Sequence, residues 1–230
     1  MIGNGFAVQL ARMQPFQVSS KYAVQIRLDV ERTFNGHPAS EYKEAVEFIL
    51  NQFASLHSMG YAQGMNFLAM GLHWVYVQDS PTHAKRDTVY SMPRLIKICL
   101  PLYPVDKNDR GPLRFCRSVA RLIGGFFPDW NEDLQTFCEI YILHFWPPLF
   151  ANLFPVEKTI FIWKFLIHPK SDRDRYTRLF LFTLELISTH RRAFPLGGDR
   201  FFKILSTPHV HDVHKLVETT REKEINCSPF

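Results

Sequence analysis

Only four cysteines occur in the 230 residues, Cys99, Cys116, Cys138 and Cys227, and no two stand as a Cys-x-x-Cys pair. That spacing excludes the common zinc-ribbon and thioredoxin-type signatures. Three of the four fall within apolar helical patterns, where a reduced thiol packs as a small hydrophobe, so a reducing, cytoplasmic compartment is expected. Long apolar runs are missing as well. The most apolar stretch, Met65 to Val77, is broken by Asn66 and His73 and falls short of the roughly 20 residues a bilayer span needs, so it reads as a buried helix. Met1 to Ala11 carry neither a basic leader nor a continuous apolar run, and no secretory signal is expected. There is no G-x-x-x-x-G-K-[ST] and no G-x-G-x-x-G, hence no sign that the chain binds a nucleotide by itself. The net charge of +5 is spread along the chain with no dense block beyond Arg191-Arg192, which argues against nucleic acid as a partner. Alternating strand patterns and repeats of 20 to 50 residues are absent, leaving an all-α fold as the expectation.

A chain of this length buries roughly 70% or more of the surface its unfolded form exposes. With 21 Phe available, the core is expected to be rich in aromatic packing. The clearest helix starts at Ser40, where Tyr42, Ala45, Val46, Ile49, Leu50 and Phe53 recur at helical spacing. Ser40 is placed to cap it and Gly60 to terminate it in a left-handed conformation. A second helix follows from about Gln63 to Val77, so Gln63 lies at a tight inter-helix turn. Further helices are expected over Asp87 to Leu100, interrupted by Pro93, and over Leu113 to Ile123, between Pro112 and Gly124-Gly125. Others run from Asn131-Glu132-Asp133 to Pro147-Pro148, from Pro155 through Leu166, and from about Asp174 to Arg192 with a basic last turn. Shorter helical pieces are expected between Asp199 and Arg221. By contrast, Ser20 to Asn35 shows no clean period and ends in the turn signal Asn35-Gly36-His37-Pro38, which places Arg32 near a loop.

The patterned helix separates two polar motifs, Ile26-x-x-Asp29-x-x-Arg32-Thr33 and Tyr61-Ala62-Gln63-Gly64-Met65-Asn66. Together they resemble the TBC domain family, the GTPase-activating proteins of Rab GTPases. Trp146-Pro147-Pro148-Leu149-Phe150 and Ile162-Trp163 look like later landmarks of it, and the looser resemblance spans Tyr22 to Leu166. It implies an all-helical TBC-like domain of two lobes over residues 20–206, after a divergent segment 1–19 and before a helical tail 207–230. Arg32 is implied to act as an arginine finger and Gln63 as a glutamine finger supplied in trans. Asp29 would support the arginine-bearing loop, and Tyr61 and Gly64 would shape the glutamine turn.

The residue types suit that chemistry. A small GTPase hydrolyses GTP slowly because charge shifts on the phosphate oxygens while the attacking water must be held in line. A guanidinium is permanently charged, planar and able to donate to two oxygens at once, and a carboxamide both accepts and donates. The resemblance makes the protein a regulator of a Rab-type partner in vesicle trafficking rather than an enzyme with its own substrate. GTP and Mg²⁺ would be carried by the partner, and any membrane association made through it. The alternatives are a TBC-like module that binds a GTPase or other protein without activating it, or an unrelated helical scaffold. On the bland reading Arg32 pairs with Asp29 or Glu31, and Gln63 merely caps a helix.

Departures from the family pattern are specific. The upstream Arg-x-x-x-Trp element is missing, since the first tryptophan is Trp74. Phe34 stands where a proline often follows Arg-Thr, and Lys164 where an aspartate commonly follows the tryptophan. The acidic-aromatic segment survives as Asp87-Thr88-Val89-Tyr90. Three further motifs are read as idle: His209-x-His211-x-x-His214 as solvated histidines, the Asn226-Cys227-Ser228 sequon, and Cys227-Ser228-Pro229-Phe230, whose internal residues are wrong for a prenylation box.

Overall fold

A computed structural model describes residues 20–34, 40–103, 110–128, 134–168, 171–190, 203, 207 and 212–226. Within them lie nine α-helices and no strand, which bears out the all-α expectation, although the first helix falls where the sequence shows no clean period: α1 Ala23–Phe34, α2 Lys43–Leu56, α3 Met65–Asp79, α4 Ala84–Ile96, α5 Gly111–Phe126, α6 Leu134–Phe145, α7 Val156–Ile167, α8 Asp172–Thr189 and α9 Val213–Asn226. Two 3-10 segments, Ser40–Tyr42 and Lys97–Leu102, precede α2 and follow α4. No described helix is long and apolar enough to cross a membrane.

Helices α1 to α4 form one packed group in which α2 touches α1, α3 and α4. The apolar face read from the sequence of α2 is the one that is buried: Val46, Ile49, Leu50 and Phe53 are all in the core. The 3-10 helix Lys97–Leu102 connects this group to α5 and α8, and α7 packs on α3. Helix α9 closes against α8 through buried Val213, Leu216 and Val217 and an ion pair of Lys223 with Glu185. The core is as aromatic as the composition implies, with Trp146, Tyr141, Phe53, Phe145, Phe150, Phe165 and Phe182 among its largest fully buried side chains.

Several boundaries differ from the expectation, each for a local reason. Ser40 opens a 3-10 turn and does not cap α2, whose first residue follows Tyr42 with no side-chain cap. Helix α2 stops at Leu56, where His57 turns extended. Gly60, at φ +69°, therefore serves the following loop, where the Tyr22 ring lies 2.4 Å from the point a β-carbon would occupy. Helix α4 runs through Pro93 without a break. Gly124-Gly125 do not end α5, which continues to Phe126 because Ile123 anchors that turn in the core and accepts from the Phe127 N–H. Helix α8 begins earlier, capped by Ser171, whose side chain accepts from the Asp174 N–H. Its last turn holds no basic residue; Arg191 and Arg192 lie outside the described residues. So do residues 1–19, the Asn35-Gly36-His37-Pro38 turn, Asn131 to Asp133, His209, His211 and Cys227 to Phe230. His214 packs its ring on Phe161 at 4.3 Å.

Candidate functional site

Arg32 stands in the last turn of helix α1 rather than on a loop. The helix is held by one buried face, Ile26 and Val30, with the carboxylate of Asp29 buried beside them. Burying an acid costs free energy unless its oxygens are satisfied, and here they are. Asp29 Oδ2 accepts from the Tyr61 hydroxyl at 2.9 Å, and Oδ1 faces Arg32 Nη1 at 3.4 Å. Burial, and then the negative charge of Asp29, push the Tyr61 phenol well above its ordinary range, so it is a proton donor at neutral pH. The Arg32 side chain is 75% exposed. The guanidinium is thus solvated and its approach to Asp29 long, so it is able to turn outward while Tyr61 keeps its hydrogen bond to the carboxylate.

The end of α1 is tied directly to the turn that carries Gln63. Thr33 donates its hydroxyl to the Asp29 carbonyl at 2.7 Å, and the Asn66 side-chain amide donates to the Thr33 hydroxyl. Asn66 Oδ1 in turn accepts from the Gly64 N–H at 3.0 Å. Asn66 thus uses donor and acceptor together to join the two motifs. Its burial within the first turn of α3 explains why it interrupts that helix's apolar run. Neither Thr33 nor Asn66 is given a role by the motif reading. For Asn66 the signal is a polar residue at a core position, which calls for a partner; Thr33 is only half-buried and carries no such signal.

Gln63 sits in the turn before α3, exposed, and its side chain makes no hydrogen bond among the described residues. Gly64 follows at φ 102°, a conformation that strains any residue with a β-carbon. A β-carbon there would also meet Pro147 Cβ at 3.1 Å and the Pro148 ring at 3.3 Å. Pro147 and Pro148 are fixed from behind: the Tyr103 hydroxyl donates to the Pro147 carbonyl at 2.7 Å, and the Cys99 thiol to the Trp146 carbonyl at 3.0 Å. Burial raises both the thiol and the phenol, so both stay protonated donors.

Replacing Gly64 with alanine is therefore expected to cost about 1 to 3 kcal/mol, and to lower the melting temperature by roughly 2 to 12 °C at this chain size. Thermal unfolding of the two proteins measures it. An unchanged midpoint would mean that the turn accepts a β-carbon.

These walls enclose one cleft of about 1110 Å³, with Arg32 and Gln63 both on its lining. Asp29, Tyr61, Gly64, Thr33 and Asn66 line it too, as do Lys21, Tyr22 and Gln25 on the α1 side and His144, Pro147, Pro148 and Asn152 opposite. Burial lowers His144 below the usual imidazole range, so at neutral pH the positive charges on the lining are Lys21 and Arg32. No cluster of three His, Cys, Asp or Glu side chains suited to a metal ion occurs among the described residues. All five residues singled out from the motifs, Arg32, Gln63, Asp29, Tyr61 and Gly64, meet in this one place.

Compared with models of known families, the chain matches the Rab-GTPase-TBC domain over residues 8–194. It belongs to that family. The match extends past both ends of the stretch in which separate landmarks are legible to the eye, Tyr22 to Leu166. No curated protein matches the chain. Within this TBC domain the later landmarks are structural: Trp146 donates its indole N–H to Thr183 Oγ1, and Trp163 to the Leu149 carbonyl, both at 2.9 Å.

Proposed function

We propose that this TBC domain accelerates GTP hydrolysis on a Rab-type small GTPase. Arg32 neutralises charge on the transferring phosphoryl group, and Gln63 orients the attacking water. GTP and Mg²⁺ enter with the partner, and any association with endomembranes, and with it a place in vesicle trafficking, comes through that partner as well. The observation that carries this reading is the pairing, on one cleft, of an exposed guanidinium and an exposed carboxamide that makes no hydrogen bond among the described residues. The segments that carry them are cross-tied by side-chain hydrogen bonds, Tyr61 to Asp29 and Asn66 to Thr33. Such cross-ties fix the separation of two groups that have to reach one phosphate, and fixed geometry is what makes electrostatic stabilisation of a transition state effective. On this reading the site sets the spacing of the two groups by direct hydrogen bonds, more than by the length of α2.

Single-turnover GTP hydrolysis over a panel of Rab-type GTPases tests this. Wild-type protein is expected to accelerate at least one member, and Gln63→Ala to lower that acceleration by about 10² to 10³ with an unchanged melting temperature. A wild type that binds a panel member but leaves its hydrolysis unchanged would overturn the proposal in favour of a binding module.

A further inference from the structure

Helix α1 carries two large apolar side chains that the fold leaves bare. Val24 is 75% and Leu28 51% exposed. With Arg32 they stand at positions i, i+4 and i+8 and so share one stripe of the helix. The charged neighbours do not cover them: Arg27 is drawn to Glu47 at 3.4 Å, and Glu31 pairs with Lys43, so both lean towards α2. Gln25 and Asp29, each one residue further along than Val24 and Leu28, line the cleft. The bare stripe therefore runs along the cleft's lip and ends at Arg32.

We infer that Val24 and Leu28 form the docking strip for the GTPase whose hydrolysis Arg32 assists, taking up apolar side chains around the partner's nucleotide site. The inference rests on the reading under Proposed function and assigns the surface on which the partner is recognised. Reach is the deciding consideration. At 1.5 Å rise per residue, Leu28 and Val24 lie about 6 and 12 Å along the axis from Arg32. A partner that admits the Arg32 guanidinium into its phosphate site has its surface against Leu28 and close to Val24. Bare apolar groups beside a charged anchor then gain by desolvation, and their neutrality leaves Arg32 as the one cation on the stripe.

The test uses Leu28→Gln and Val24→Gln, which keep helix propensity and add no charge, since an acid at position 28 would pair with Arg32. The control is Leu122→Gln, the same change at a 56% exposed leucine on α5, a helix with no residue on the cleft. Each protein is assayed on the Rab-type panel for binding of the GTP-loaded form and for the kcat and KM of hydrolysis. Leu28→Gln is expected to raise KM about tenfold or more, and Val24→Gln severalfold, with kcat within about twofold and Leu122→Gln matching wild type. Unchanged KM in both stripe variants of an active protein overturns the docking strip while the proposed activity stands. If wild type binds a GTPase without accelerating it, the proposed activity fails. The strip is then judged on affinity, supported by a tenfold loss in Leu28→Gln and overturned by none. A wild type that neither binds nor accelerates any member overturns both.

Discussion

Arg32→Lys is expected to abolish most of the acceleration, by about 10³-fold or more, and to fall within a decade of Arg32→Ala. A trans-acting arginine is typically worth 10³ to 10⁵ in rate, or roughly 4 to 7 kcal/mol of barrier. Lysine keeps the charge but loses the planar fork that donates to two oxygens, and its compact ammonium is more strongly hydrated. Neither variant is expected to unfold the protein. The Arg32 side chain is 75% exposed, and its contact among the described residues is the 3.4 Å approach to Asp29. Single-turnover hydrolysis with saturating domain, alongside thermal unfolding, separates a chemical from a structural effect. Retention of more than about one-tenth of wild-type acceleration in Arg32→Lys would remove the guanidinium from the mechanism.

The largest effect on stability is expected at Trp163. Its indole lies in the core between α7 and α3, with ring carbons 2.7 and 2.9 Å from where a β-carbon on Gly71 would sit, so the glycine makes room for the ring. Its N–H satisfies the Leu149 carbonyl, in a turn where Leu149 and Phe150 both take positive φ, at 48° and 64°. That turn begins at the two prolines facing Gly64. Trp163→Ala removes the packing and orphans the carbonyl, at a cost of about 3 to 5 kcal/mol, or roughly 6 to 20 °C in melting temperature. Trp163→Phe keeps a ring beside Gly71 but leaves the carbonyl without its donor, at about 1 to 3 kcal/mol. Denaturant unfolding monitored by fluorescence gives both values. A loss below 1 kcal/mol in Trp163→Ala would show that the turn does not depend on the indole.

Helix α2 was legible because its apolar residues fall on one face and that face is buried. Helix α1 was not, because its chemistry is inverted at the positions that matter. Val24 and Leu28 are apolar and exposed, while Asp29 is charged and buried, so no clean period survives and Arg32 reads as a loop residue. Among the site residues, those with distinctive side chains at fixed spacing could be named from the motifs. Thr33 and Asn66 could not be given roles, because what they do is a hydrogen bond between segments far apart in sequence, which local periodicity does not register. The continuation of α5 through two glycines was equally hidden: Gly125 has open space around it, and the turn is held by Ile123 from the other side.

The cross-ties also say when the cleft comes into being. Asp29 and Tyr61 are 32 residues apart, and Thr33 and Asn66 are 33 apart. Closing a flexible loop of that size carries an entropy cost of about 3 kcal/mol above a fixed initiation term. Two hydrogen bonds do not offset it alone, so the ties form with the docking of α1 on α2 and α3 and not ahead of it. During synthesis Arg32 therefore emerges without its site: Gln63 follows more than thirty residues later, and the cleft's far wall at Pro147 and Pro148 later still.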